Sequence, residues 1–248
     1  MKKSYQEKVQ EKYWDRVADI FYDSDLPFSA RFEQGEFFRF LSLPKGLKAL
    51  EIGCGTGRWT LPLLRRGYKV TATDISLKSL DKVREQAKKE KFLKNLTLKK
   101  TNFENVDYKS KFDLAFCFGV IHHLDPTKKE VIVNNIIRTL KKNGILVSLE
   151  PNPLNPLFYL IYFWRWLINK QGRNRWKTEK GFLHSRAGSL KKLYEKNGLS
   201  EIEVKRFALI PTRYSDRFRG VTKLNEFLLC IPLLQNFSAF IWIKGKKK

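Results

Sequence analysis

Apolar positions along this chain follow two rhythms in succession. Over the first 43 residues Tyr13, Val17, Ile20 and Phe21, then Phe32, Phe37, Phe40 and Leu41, recur at helical spacing, which predicts two helices forming a cap and closed by Pro44. From residue 47 short apolar runs alternate with longer amphipathic ones. Strands are expected at 47–52, 68–73, 96–98, 112–118 and 145–150, with helices reaching about residue 66 and covering 77–91 and 127–142. Ser76 is a natural N-cap for the second of these helices, and Asn143-Gly144 reads as the stop of the third. A helix at 188–196 stopped by Gly198, a strand at 200–207, a helical stretch at 221–229 and a strand at 238–243 complete the pattern. Strand and helix alternate as they do in an α/β fold with a parallel sheet flanked by helices.

The regular alternation breaks after Glu150. Pro151, Pro153 and Pro156 each lack a donor and push the preceding residue toward extended geometry, so they mark the exit into an aromatic, basic segment ending near His184. The whole chain, 1–248, reads as a single domain: a helical cap (1–43), a core (44–150), an insertion or lid (151–185) and a C-terminal part of the sheet (186–248).

Composition narrows the class. The chain has 248 residues, 42% of them hydrophobic and 14% aromatic, which excludes disordered, collagen-like and coiled-coil architectures. Its 49 Lys+Arg against 25 Asp+Glu give a net charge of +24, which favours an acidic partner, either nucleic acid or an anionic membrane surface. Three scattered cysteines (Cys54, Cys117, Cys230) fit neither a disulfide framework nor a zinc site, and the first residues lack the apolar stretch of a secretory signal. A reducing, cytoplasmic setting is expected. The most apolar run, 157–168, is 12 residues long, and at about 1.5 Å per residue it falls short of a ~30 Å hydrocarbon core.

The chemistry concentrates in residues 47–76. Gly53, Gly55 and Gly57 follow the first strand and open a helix, where backbone must approach a ligand closely. A dinucleotide fingerprint needs its third glycine at position 58, which here is Arg58. Asp74, 21 residues after Gly53 at the end of the second strand, is placed to accept hydrogen bonds from ribose hydroxyls. Together these describe a nucleoside site at the carboxyl ends of parallel strands, with no pyrophosphate to hold.

Glu51-Ile-Gly53-Cys-Gly55-Thr-Gly57, Asp74 and the strand Phe112-Asp-Leu-Ala-Phe-Cys-Phe118 resemble the class I S-adenosylmethionine-dependent methyltransferases. Tyr13-Trp-Asp-Arg-Val-Ala-Asp-Ile-Phe-Tyr22 and Val120-Ile-His-His-Leu124 are similar to the small-molecule branch that includes quinone-biosynthesis enzymes. The resemblance implies a Rossmann-like seven-stranded, mostly parallel sheet with the last strand antiparallel, and S-adenosyl-L-methionine as cofactor. It also implies that the loop of Gly53, Cys54, Gly55 and Gly57 lies against the methionine part, with Glu51 near its ammonium. Asp74 would hold the ribose and Ile75 and Phe103 the adenine, Asn102 would stand where the family usually has an acid, and Phe118 and Gly119 would face the methyl donor.

Methyl transfer is an in-line displacement, so alignment and water exclusion matter more than acid or base strength. An alcohol or phenol acceptor needs a base, with His123 first, then Glu150 at the end of the fifth strand and His184 after the insertion. The His122-His123 pair reads equally as a shape-determining element, and a lone His184 as a surface residue. Asn152-Pro153 and Asn155-Pro156 resemble the Asn-Pro motif of DNA amino-methyltransferases, but they follow the fifth strand and not the fourth, and are read as a rigid exit. No carboxylate cluster suggests a metal. Residues 157–168, apolar except Arg165 and followed by Lys170, Arg173, Arg175, Lys177 and Lys180, suit an interfacial helix near an anionic membrane, or equally a lid or dimer contact. The expected acceptor is small and hydrophobic or lipid-linked; a nucleic-acid methyltransferase and a non-catalytic cofactor-binding protein are the alternatives.

Overall fold

The fold was obtained as a computed structural model that describes residues 5–18, 28–104, 108–168, 181–218 and 220–248. Helices α1 (Tyr5–Val17) and α2 (Phe28–Leu41) precede the sheet. Then come β1 (Lys48–Ile52), α3 (Thr60–Arg65), β2 (Lys69–Asp74), α4 (Leu77–Lys89), β3 (Leu96–Lys100), β4 (Phe112–Phe118), α5 (Pro126–Thr139) and β5 (Leu140–Pro151). The chain continues through α6 (Pro156–Ile168), α7 (Ala187–Lys196), β6 (Leu199–Phe207), α8 (Gly220–Leu229), the short α9 (Pro232–Gln235) and β7 (Phe240–Lys247). Ile20 and Phe21, expected on the first helix, lie outside the described residues.

The strands form one seven-stranded sheet in the order β3-β2-β1-β4-β5-β7-β6. Strands β1 to β5 pair in parallel, and β7 pairs antiparallel to both β5 and β6. Alternate residues of each strand feed opposite cores, because successive strand side chains point to opposite faces. Ala49, Leu114, Phe116 and Trp242 pack with α2, α3 and α4, whereas Leu50, Ile52, Ala115, Cys117, Ile241 and Ile243 pack with α5 and α7. The order reverses between β1 and β4, which opens a crevice at the carboxyl ends of the parallel strands.

Two boundaries differ from expectation. Helix α5 stops at Thr139 and Leu140 already pairs with Phe112, so Asn143 (φ 64°) and Gly144 make an irregularity inside β5 and not a helix stop. A Cβ on Gly144 would lie 3.0 Å from the Lys141 carbonyl and 3.2 Å from that of Phe112, which is why glycine stands there. Strand β7 runs on into the lysine-rich end of the chain, where Lys246 and Lys247 pair with Ser200 and Leu199. The Lys247 ammonium donates to the Leu140 carbonyl at 2.6 Å and the Lys244 ammonium to that of Phe40 at 2.9 Å.

Helix α2 is anchored at both ends. Its aromatic face sets Phe37 against Trp59, Phe118 and Trp242 at centroid distances of 5.2, 5.0 and 5.8 Å. At its start the Ser29 N–H and hydroxyl both donate to the Asp216 carboxylate at 2.7 Å, from a 3-10 turn (Thr212–Asp216) far along the chain. An acid accepting from the first turn satisfies donors that the helix itself cannot. Asp216→Ala is expected to destabilise the protein by about 1 kcal/mol, read as a lower midpoint of urea denaturation with unchanged slope.

Candidate active site

The glycine loop after β1 is held by a buried carboxylate. Asp74, ending β2, accepts the Gly55 N–H on Oδ2 at 2.8 Å and the Ser76 N–H on Oδ1 at 2.9 Å. One side chain therefore braces the loop after β1 and the start of α4 together. Ser76 in turn caps α4 by accepting the Ser79 N–H at 3.0 Å, and its hydroxyl donates to Asp15 of α1 at 2.5 Å. Burial pushes the Asp74 carboxyl up from its ordinary range, opposed by the N–H groups of Ser76, Gly55 and Ile75.

Glu51 is buried beneath the same loop, with the Thr60 hydroxyl donating to Oε2 at 2.5 Å. Desolvation raises its pKa from 4.5 to about 8. Gly53, Gly55 and Gly57 all take positive φ (70°, 51° and 95°). A Cβ on Gly53 would lie 2.5 Å from Val120 Cγ2, whereas one on Gly55 would enter open space. Cys54 is buried and its N–H donates to the Thr73 carbonyl at 2.9 Å, tying the loop to β2. Ile75 stands half-buried beside this loop.

Phe118 ends β4 half-buried, its ring 4.5 Å from that of Trp59, and Gly119 follows at φ 68°. Beyond it a short 3-10 turn (Ile121–His123) is organised by Glu150. Its carboxylate accepts the N–H groups of Val120, Ile121 and His122 at 3.3, 3.0 and 3.2 Å, and Oε2 lies 2.6 Å from His122 Nδ1. Four contacts use the lone-pair directions of a carboxylate that is wholly buried. Glu150 is thus a positioning residue for the turn and is not left to bind an acceptor or take its proton.

His123 is 8% exposed and its ring meets Trp14 of α1 edge-on at 5.3 Å; Gln10 of α1 donates to its carbonyl at 2.8 Å. His184 sits exposed on a 3-10 turn (Phe182–His184), and the segment before it packs on this one, since a Cβ on Gly181 would lie 2.7 Å from the His122 and Leu124 carbonyls. The three expected proton-handling residues therefore have separate settings: Glu150 engages His122 and not His123, and His184 faces solvent.

After β3, the Asn102 Oδ1 accepts the Glu104 N–H at 3.2 Å, which shapes the turn. Phe103 takes φ 62° and is 1% exposed, its ring among Leu50, Ile52 and Ile136. Its ring therefore belongs to the core. Asn152 and Asn155 are structural: each donates its amide to segment 236–237 and accepts an N–H two residues on, Leu154 and Leu157. Among the described residues no group of His, Cys, Asp and Glu could hold a metal ion.

Sequence reasoning missed the part played by α1, namely Gln10, Trp14 and Asp15, and the cluster in which Arg58 donates to Glu33 at 2.5 Å while Glu33 also accepts from Thr212. Their partners lie 25 to 179 positions away, and no local pattern announces them.

Sheet order and the glycine loop give this chain the fold seen in solved S-adenosylmethionine-dependent methyltransferases. Residues 49–144 match the family described as a methyltransferase domain. Among relatives, the ubiquinone biosynthesis O-methyltransferase of Pelagibacter ubique is 29% identical over 128 residues, covering 50% of this chain and 52% of that protein. An S-adenosyl-L-methionine-dependent Diels-Alderase of Talaromyces variabilis is 30% identical over 130 residues, covering 50% and 44%. The chain spans about half the length, or less, of the curated relatives it matches. A Thermotoga maritima methyltransferase, described as a possible histamine N-methyltransferase, shares the fold with a TM-score of 0.64 at 21% identity, over 96% of this chain and 99% of that one.

Replacing Glu150 by Ala leaves the N–H groups of Val120, Ile121 and His122 without their acceptor, and is expected to cost about 3 kcal/mol in urea denaturation. Glu51 gives a pH dependence of opposite sign to an ordinary paired acid. The folded protein holds this proton to about pH 8 while an ordinary carboxyl releases it near 4.5, so the folded state binds more protons in between. Stability is therefore expected to fall as pH rises through that window. Glu51→Gln flattens the fall, as measured by denaturation midpoints across the range.

Proposed function

We propose that this chain transfers the methyl group of S-adenosylmethionine to a small acceptor that is hydrophobic or lipid-linked. The observation that carries this reading is the cradle of Gly53, Cys54, Gly55 and Gly57 braced by buried Asp74 and underlain by buried Glu51. The residues fit the cofactor: Gly55 borders space that a side chain would fill, and Asp74, with the N–H groups of Gly55, Ser76 and Ile75 on a carboxylate of about four acceptor sites, has capacity left for a ribose hydroxyl. When bound, the cofactor supplies an electrophilic sulfonium methyl.

Asp74 holds the ribose, Glu51 faces the ammonium, half-buried Ile75 packs on the base, and the turn of Asn102 closes beside it. Phe118 and Gly119 flank the reacting side, with Glu150 fixing the turn that carries His122 and His123. His123 is the candidate base for a hydroxyl acceptor. Helix α6 supports a greasy acceptor and peripheral contact with an anionic membrane: it packs inward through Phe158 and Tyr162 on Phe182, but Leu160, Phe163, Trp164 and Ile168 are 56, 57, 63 and 69% exposed. No described helix is long and apolar enough to cross a membrane. The expected basic flank at 170–180 lies outside the described residues. A nucleic-acid acceptor draws less support, since cations such as Lys100, Lys128, Lys141 and Lys205 are each paired with an acid.

Calorimetric titration with S-adenosylmethionine is expected to show binding that Asp74→Ala weakens at least about tenfold. Transfer of labelled methyl to a catechol bearing an alkyl tail is expected to exceed transfer to the bare ring. Trp164→Ala should raise KM only for the tailed compound. No binding by the unaltered chain, or equal rates for both acceptors, would overturn the corresponding half of the reading.

A further inference from the structure

Away from the glycine loop, toward the β6 edge of the sheet, an open cleft of ≈ 360 Å³ lies between the exit of β5, the start of α7 and β6. Arg186, Lys192 and Arg206 line it, and no acidic residue does. Nearby cations on the same elements are neutralised: Lys196 pairs with Glu130 at 2.8 Å and Lys205 with Glu36 at 2.7 Å. None of the three lining cations has an acidic partner among the described residues. Like charges gathered in one concavity repel, and the arrangement is relieved when an anion sits among them.

The rest of the lining agrees in sign. Helix α7 begins at the cleft with no side chain capping its first turn, and Ala187, Gly188 and Ser189 of that turn line the same space as the cations. Gly188 in that turn has open space where a Cβ would stand, and Ser189 adds a hydroxyl. Leu154, 40% exposed, supplies an apolar wall beside the polar end. The volume exceeds that of a bare inorganic anion and suits one attached to an organic body.

We propose that this cleft is a binding site for a phosphate group carried on an organic molecule. Two guanidinium groups with one ammonium and helix N–H groups match the oxygens of a phosphate mono- or diester. A soluble phosphorylated compound and a phospholipid headgroup share that chemistry. The assignment does not depend on the methyl-transfer reading.

The test titrates the isotopically labelled full chain with inorganic phosphate at constant ionic strength, with chloride as the control, and follows the amide signals of Gly188 and Ser189. Saturable shifts with phosphate and none with chloride are expected. Arg186→Gln and Arg206→Gln should each weaken binding about tenfold, while Lys88→Gln on exposed α4 leaves it unchanged. If either arginine variant unfolds, Lys192→Gln serves in its place. Pelleting with phosphatidylcholine vesicles, with and without phosphatidylglycerol, separates the sources. Vesicle binding that needs phosphatidylglycerol and is lost in the variants assigns a lipid headgroup; phosphate binding with vesicle binding indifferent to the variants assigns a soluble ligand. Non-saturable shifts, equal response to chloride, or binding unaffected by all three substitutions would overturn the site.

Discussion

A carboxylate cannot be buried at the end of a strand unless donors are brought to it, and at the carboxyl edge of this sheet that requirement shapes the loops. Asp74 draws in the N–H groups of Gly55 and Ser76, and so closes the glycine loop onto the start of α4. Glu150 draws in three successive N–H groups and one imidazole nitrogen, and so winds the segment after β4 into a turn. Glu51 finds a single hydroxyl donor, and its high pKa is the consequence. Two of the acids are engaged chiefly by backbone N–H groups. The third is under-compensated, and it is the one best suited to meet a cationic group.

The second layer of order is aromatic. Phe37 joins α2 to Trp59 of the glycine-loop region, to Phe118 at the end of β4 and to Trp242 of β7. A helix from the first part of the chain is thereby fixed against the crevice through contacts with three separate strands or loops. Helix α1 adds a polar clasp, with Asp15 on Ser76 and Gln10 on the His123 carbonyl. The two N-terminal helices thus pack and hydrogen-bond directly to the segments after β1, β2 and β4.

What could be read from sequence follows from range. Strand and helix identities, the glycine loop and Asp74 rest on periodicity and short spacings, and they fall where the pattern put them. The stop of α5 was misplaced because Asn143-Gly144 has the same chemistry at a helix end as at a strand irregularity, and only the pairing of Leu140 with Phe112 distinguishes them. The burial of the Phe103 ring was not legible, because an aromatic after a strand reads alike whether it faces a ligand or the core. Glu150 looked available because its donors, 28 to 30 residues earlier, are backbone groups that leave no trace in side-chain identity.

The charge of +24 resolves in the same way, by partner and not by count. Lys244 and Lys247 hold carbonyls at the sheet edge, several lysines pair with acids, and Lys88 and Lys94 are solvated. Net charge therefore measures solubility and long-range attraction, whereas recognition depends on the few cations that the fold gathers without an acid. The same separation bears on the reaction. On the proposed reading the cofactor cradle draws mainly on residues 51–76, while the acceptor side would draw on α2, the turn after β4 and the segments following β5 and β6. Substitution in those later segments can change the acceptor, or even the reaction, without disturbing the cradle. That separation is consistent with relatives in which one S-adenosylmethionine-dependent scaffold is described as an O-methyltransferase and another as a Diels-Alderase.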